Sequence, residues 1–205
     1  MFVRSRILAV AVVVALGTAG TAHAHSKQAF HDAMRNLWVD HVTWTRLFIV
    51  SAAAGLPDNK ATTERLLANQ SDIGNAVAEF YGKEAGDKLT ALLREHIIVA
   101  AEIVTAAKAG DQAKVADANK RWQTNANGIA AFLHAANPDH WPLATLQGMM
   151  KTHLDQTLEE ATHRLKGEYD KDVKDYDAIV AHILEMADAL SGGIIAQFPA
   201  KFDKA

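Results

Sequence analysis

Cysteine is absent from all 205 residues, and that removes several classes of function at once. There is no disulfide framework, no thiolate metal site, no c-type haem attachment and no lipoprotein anchor. Proline is scarce, at four residues, and no segment shows the apolar–polar alternation of a strand. Basic runs are missing beyond Arg4 and Arg6, so nucleic acid and anionic lipid are poor partners. The chain also lacks a G-x-S-x-G elbow, a P-loop and a Rossmann fingerprint, and a Ser or Cys nucleophile triad is not indicated.

Apolar residues make up 49% of the chain, enough to bury a real core. Arg4 and Arg6, the apolar run from Ile7 to Leu16, and Ala22-His23-Ala24 compose a cleavable secretory signal over residues 1–24. The mature chain is then a single domain over 25–205, periplasmic or secreted. No later stretch is expected to insert stably in a membrane. Without Arg4 and Arg6 the 21 basic residues fall to 19 against 24 acidic ones, a formal net charge of −5.

Apolar spacing and punctuation predict six helices. They run from about Ser26 to Ala54, Asp58 to Tyr81, Lys83 to Ala109, Gln112 to Ala136, Leu143 to Lys166, and Tyr169 to near Pro199. Gly55, Gly82, Gly110 and Gly167 separate them, and Asn137-Pro138-Asp139-His140-Trp141-Pro142 is the clearest loop. Short linkers make sequential helices antiparallel. The expected fold class is all-α, an up-and-down antiparallel helical bundle.

In the first helix Phe30, Met34, Leu37, His41, Trp44 and Phe48 recur at helical spacing, which puts a histidine where a leucine belongs. Nine histidines remain after the leader. Four of them, His41, His96, His153 and His182, lie near the middles of the first, third, fifth and sixth helices. A helix midpoint sits at mid-height whichever way the helix runs, so antiparallel packing brings the four to one level. Asn69 and Gln70 in the second helix and Asn125 in the fourth are polar at the same level. Asp40, Glu95, Asp155 and Asp177 are near enough to orient the rings or to add a ligand.

A buried neutral imidazole must satisfy a donor and an acceptor, and failing either costs about 1–3 kcal/mol. Several such rings at one level satisfy each other, or hold something between them. Imidazole is the commonest ligand for Zn, Cu, Fe and Ni. The candidate metal ligands are His41, His96, His153, His182 and Asp155. Trp44, Asn69 and Asn125 are candidates to line a bound small molecule. With at most one or two Met near the layer, Zn, Cu(II) or Fe is expected ahead of Cu(I). The rival account is a set of hydrogen-bonded core histidines that fix helix register.

Other motifs carry less. Glu160-Ala161-Thr162-His163 matches one Glu-x-x-His element of di-iron bundles, but that class needs two, and the pattern is expected on a solvated face. Asp170-Lys171-Asp172 has the D-x-D form of sugar-nucleotide transferases, yet it falls in the first turn of a helix, where the macrodipole explains acidic residues. His25, as the mature N-terminus, could chelate copper through its amine and ring. Trp38, Trp44, Trp122 and Trp141 suit a core or a pocket wall. Arg46 is placed to pair with a carboxylate or stack on a ring.

Several strings together carry a resemblance: Asp40-His41-x-x-Trp44-Thr45-Arg46, Asn69-Gln70-x-Asp72-Ile73-Gly74-Asn75-Ala76, Tyr81-Gly82, Leu92-Leu93-x-x-His96-Ile97, His153-Leu154-Asp155 and Gln197-Phe198-Pro199-x-Lys201-Phe202. Over nearly the whole mature chain it resembles small secreted proteobacterial helical proteins of unknown function, often labelled glycosyltransferases. The resemblance implies no catalytic assignment. Three hypotheses follow: a bundle binding a metal ion or small ligand at the histidine layer, a non-catalytic envelope adaptor or stress bundle that engages a protein partner or a second copy of itself, and, disfavoured, an enzyme of the labelled kind.

Overall fold

The computed structural model describes residues 26–203; the expected secretory signal and His25 lie outside them. The six expected helices are present: α1 Lys27–Ala54, α2 Asn59–Tyr81, α3 Lys83–Lys108, α4 Gln112–Ala136, α5 Leu143–Lys166 and α6 Tyr169–Gln197. A 3-10 turn, Pro199–Lys201, follows, and no β-strand occurs among the described residues.

The boundaries have local causes. Ser26 Oγ accepts from Ala29 N at the start of α1, and Asp111 accepts from Lys114 N at the start of α4. Gly55 ends α1 with φ 68°, a left-handed conformation that costs glycine little. Asp58 departs from expectation. It precedes α2 but makes no side-chain cap, because its carboxylate accepts from Ser51 Oγ at 2.6 Å.

Neighbouring helices run antiparallel, as side-chain pairs show. Phe30 at the start of α1 meets Phe80 at the end of α2, with ring centroids 4.9 Å apart. Arg35, early in α1, pairs with Asp188, late in α6, and Arg46, late in α1, pairs with Asp172, early in α6. Each helix packs on the next in sequence, and α6 packs back on α1, so the six form a closed ring. Across that ring α1, α3 and α5 approach one another. Alternating direction makes these three parallel, and they face the centre.

One continuous core draws on all six helices, with Met34, Ile73, Leu89, Ile129, Leu154 and Ile183 among its buried members. Phe48, Ile49, Leu66, Ile97, Val104 and Ala161 form a smaller cluster. The buried face of α1 is rotated from the expected stripe: Trp38 and Val42 are buried, while Leu37 and Trp44 are half-buried. Glycine sets the spacing of α2 against α3. A Cβ on Gly74 would lie 1.9 Å from Thr90 Oγ1 and 2.7 Å from the Gly86 carbonyl oxygen.

Helix α6 departs from the expectation that nothing after the leader is apolar enough for a bilayer. It contains an 18-residue window of mean hydropathy 1.5, long and apolar enough to cross one. Here that helix packs between α5 and α1, and its Ile179, Ile183 and Ile194 are core residues.

Candidate functional site

Three of the four mid-helix histidines meet at the centre of the ring. His41 from α1, His96 from α3 and His153 from α5 are all buried, at 2%, 2% and 5% exposure. The His153 ring centroid lies 5.6 Å from that of His41 and 6.1 Å from that of His96. All three come from the parallel helices that approach across the ring, which is why they share a level and a direction.

His96 is the most firmly placed. Asn125 Nδ2 donates to the Leu92 carbonyl at 3.1 Å, which turns its Oδ1 towards His96 Nδ1 at 2.9 Å. An amide oxygen only accepts, so His96 carries its proton on Nδ1 and presents a bare lone pair at Nε2. That Nε2 is buried and has no hydrogen-bond partner among the described residues, and the same holds for His41 Nδ1 and His153 Nδ1. The Trp38 and Trp122 indole nitrogens, beside His41 and His96 with ring centroids 5.7 and 5.1 Å away, are also without partners there.

The three rings line a narrow, apolar-walled cavity of about 20 Å³, the space of a single water or ion. Burial keeps them neutral. It pulls His41 down to about 4, against a smaller opposing effect of the Gln70 side chain. Burial likewise pulls His96 down to about 3, opposed by Asn125. His153 is pushed well below the usual histidine range by burial first, then by the other histidines around it. Neutral imidazoles with free lone pairs are the form that ligates metals.

Two rings sharing a tetrahedral metal about 2.1 Å from each nitrogen have centroids roughly 5.3 Å apart. The observed separations are close to that. Their nitrogens, however, are not already aimed at one point. Among the described residues, the set of three or more His, Asp or Glu ligand atoms lying within 4.8 Å of each other is Glu159, His163 and Asp175, at the α5–α6 end of the bundle.

The remaining candidates fall elsewhere. His182 belongs to α6, outside the central trio, and its Nε2 donates to the Met149 carbonyl at 2.9 Å. Asp155 is on the outer face of α5, 55% exposed and paired with Lys151. Asp40 pairs with Arg65 at 3.3 Å, and Glu95 and Asp177 are exposed, so none of these carboxylates orients a ring. Trp44 sits under the Arg65 guanidinium, 5.3 Å from its ring, and does not line the cavity. Asn69 is buried and ties α2 to α1 by donating to the Leu37 carbonyl at 3.0 Å. Of the three residues expected to line a bound small molecule, Asn125 alone acts on the trio, by holding His96. The expectation of at most one or two methionines also fails: Met149, Met150 and Met186 all line the cavity. Met149 and Met150 are adjacent in α5, and Met186 lies four residues after His182, so the signal was visible in the spacing.

A second polar centre was mostly missed. Arg46 Nη1 donates to Glu160 Oε1 at 2.6 Å and to Asp172 Oδ1 at 2.8 Å, while Arg164 reaches Asp172 Oδ2 at 3.3 Å. Tyr176 covers Arg46, with the guanidinium carbon 4.8 Å from its ring centroid, so Arg46 both pairs and stacks. Glu160 is 2% exposed, which corrects the solvated face expected for Glu160-x-x-His163. Burial, opposed by Arg46, pushes its carboxyl up to about 7. Asp172 is fully buried and held by two arginines while Asp170 is exposed, so the D-x-D pair does not present two carboxylates to one ligand.

Comparison with protein-family models, with curated proteins and with solved structures returns no match.

Proposed function

We propose that this protein is a secreted or periplasmic helical bundle that binds a single metal ion in its central histidine cavity. The observation that carries the proposal is the trio of buried, neutral imidazoles, each with an unpartnered ring nitrogen, around a space of about 20 Å³. Leaving three such nitrogens empty costs about 1–3 kcal/mol apiece, and an ion recovers that cost in one step. His41, His96 and His153 are the ligands and Asn125 is the positioning residue.

The test is elemental analysis of untagged protein purified from the periplasm, beside a His41→Ala/His96→Ala variant. About one ion per wild-type chain and none in the variant is the expected result. No ion in either, with added metals leaving the melting temperature unchanged, would sink the proposal.

A second role, docking a protein partner, is favoured by one surface feature. A groove of about 560 Å³ runs between α2, α3 and α4, floored by Leu67, Ile97, Ile98 and Ala101. Ile98 is 49% exposed there, and paired charges such as Arg121 with Glu102 and Lys114 with Asp111 rim it. Transfer of a sugar is disfavoured by the separation of Asp170 from Asp172.

A further inference from the structure

The wall of the central cavity carries information beyond its histidines. Besides His41, His96 and His153, the lining side chains that carry a possible metal donor are those of Met149, Met150 and Met186. Met150 and Met186 are 7% and 5% exposed and come from adjacent helices, α5 and α6. The rest of the lining is aliphatic apart from Trp38, and among the described residues no carboxylate, hydroxyl or amide faces it. The acidic residues within two positions of His41 and His153 are spent on the surface, Asp40 on Arg65 and Asp155 on Lys151.

Charge and softness then select the ion. The energy of placing an ion in a low-dielectric interior scales with the square of its charge, so a divalent ion among neutral ligands costs about four times a monovalent one. Zinc on three histidines ordinarily keeps a bound water or hydroxide, and a cavity of about 20 Å³ has no volume for that fourth ligand once an ion is inside. Thioether sulfur is a soft donor that contributes little to Zn(II) or Fe but matches a soft monovalent cation. We infer that the ion of this cavity is copper(I), held by nitrogens of His41, His96 and His153 with one thioether sulfur of the wall, from Met150 or Met186, as the fourth donor. This rests on the histidine site proposed above and reverses the order of metals suggested by sequence alone.

The experiment uses the untagged mature chain and a Met150→Leu/Met186→Leu variant, in which near-isosteric side chains keep the packing. Copper(I) is supplied anaerobically from a chromophoric copper(I) chelator, and Zn(II) affinity is measured with a zinc indicator. Both ions are also offered during refolding from urea, because the three histidines are buried. The expected result is about one copper(I) per wild-type chain, an affinity roughly 100-fold weaker in the variant, and zinc binding weak and unchanged by the substitutions. X-ray absorption should show sulfur at the copper in the wild type only. Equal copper(I) affinity in both proteins, or zinc held as tightly as copper(I), overturns the thioether assignment and leaves the histidine site standing. Retention of neither ion by the wild type overturns both.

Discussion

The ion-free protein should lose stability on mild acidification, and the loss should trace to the central histidines. A histidine pulled from its unfolded value near 6.5 to about 4 or 3 stays neutral in the fold while the unfolded chain takes up a proton. Its contribution is therefore full above pH 6.5 and drains away as the pH falls towards the folded value. At pH 5 the difference is about one proton for His41 and one for His96, worth about 2 kcal/mol each relative to pH 8. His153, shifted the same way, adds to the loss. Glu160 acts in the opposite sense. Its folded value of about 7 lies above the unfolded 4.5, so its stabilisation is present at low pH and fades as the pH rises through 7. At pH 5 it returns roughly as much as one histidine removes, on the order of 2 kcal/mol.

These opposing contributions make the wild-type curve alone a weak test, and a difference isolates the histidine part. Replacing His96 by Leu leaves Asn125 Oδ1 without its partner, a penalty of about 1–3 kcal/mol that does not vary with pH. It also removes one titrating ring, so the drop in stability between pH 8 and pH 5 should shrink by about 2 kcal/mol. Urea unfolding followed by circular dichroism, with a chelator present throughout, measures both quantities. If the two proteins lose stability in parallel, within about 0.5 kcal/mol, His96 is not a neutral buried ring and the electrostatic account of the cavity is wrong.

Other substitutions probe the remaining features. Arg46→Ala should cost about 3–5 kcal/mol in urea melts, because it strands buried Glu160 beside Asp172. Asp172→Ala should be strongly destabilising for the same reason while exposed Asp170→Ala stays within about 0.5 kcal/mol; equal effects would contradict the placement of the pair. Gly74→Ala should destabilise by about 1–3 kcal/mol or more, since the added methyl meets the Gly86 carbonyl and Thr90, and an unchanged midpoint would mean the two helices are not that close.

The fold was legible because its signals are local and redundant. Glycines at 55, 82, 110 and 167 stand at or within two residues of helix ends, and the limits of α5 match the expected ones. The histidine level was legible too, since a midpoint argument needs only helix lengths. What it could not supply was azimuth. His182 shares the level but belongs to an even-numbered helix of the ring, and its ring turns to the Met149 carbonyl instead of the centre. Asp155 is two residues from His153, which on a helix means about 200° of rotation and an outward side chain. Long-range pairs such as Arg46 with Glu160 and Asp172 leave no periodic trace, so a buried Glu on α5 looked like an ordinary surface residue.

The placement of the polar groups argues that the cavity is a built feature and not a packing fault. Asn69 fastens α2 to α1, Asn125 fastens α4 to α3, and the Arg46 cluster fastens α1 to α5 and α6. With Arg164 of α5 donating to Asp172 of α6, each of the three central helices is clamped by a partner outside the trio. Axial slippage by one turn, about 5.4 Å, would break these bonds as well as scatter the histidines. A core needing only register could obtain it from those clamps, with leucine at positions 41, 96 and 153 filling the centre at no hydrogen-bonding cost. Register therefore accounts for Asn69, Asn125 and Arg46 but leaves the three unpartnered nitrogens unexplained. The proposed cation would pair them and would give the clamps a purpose, since rings on three separate helices can share one ion only if the helices cannot slide.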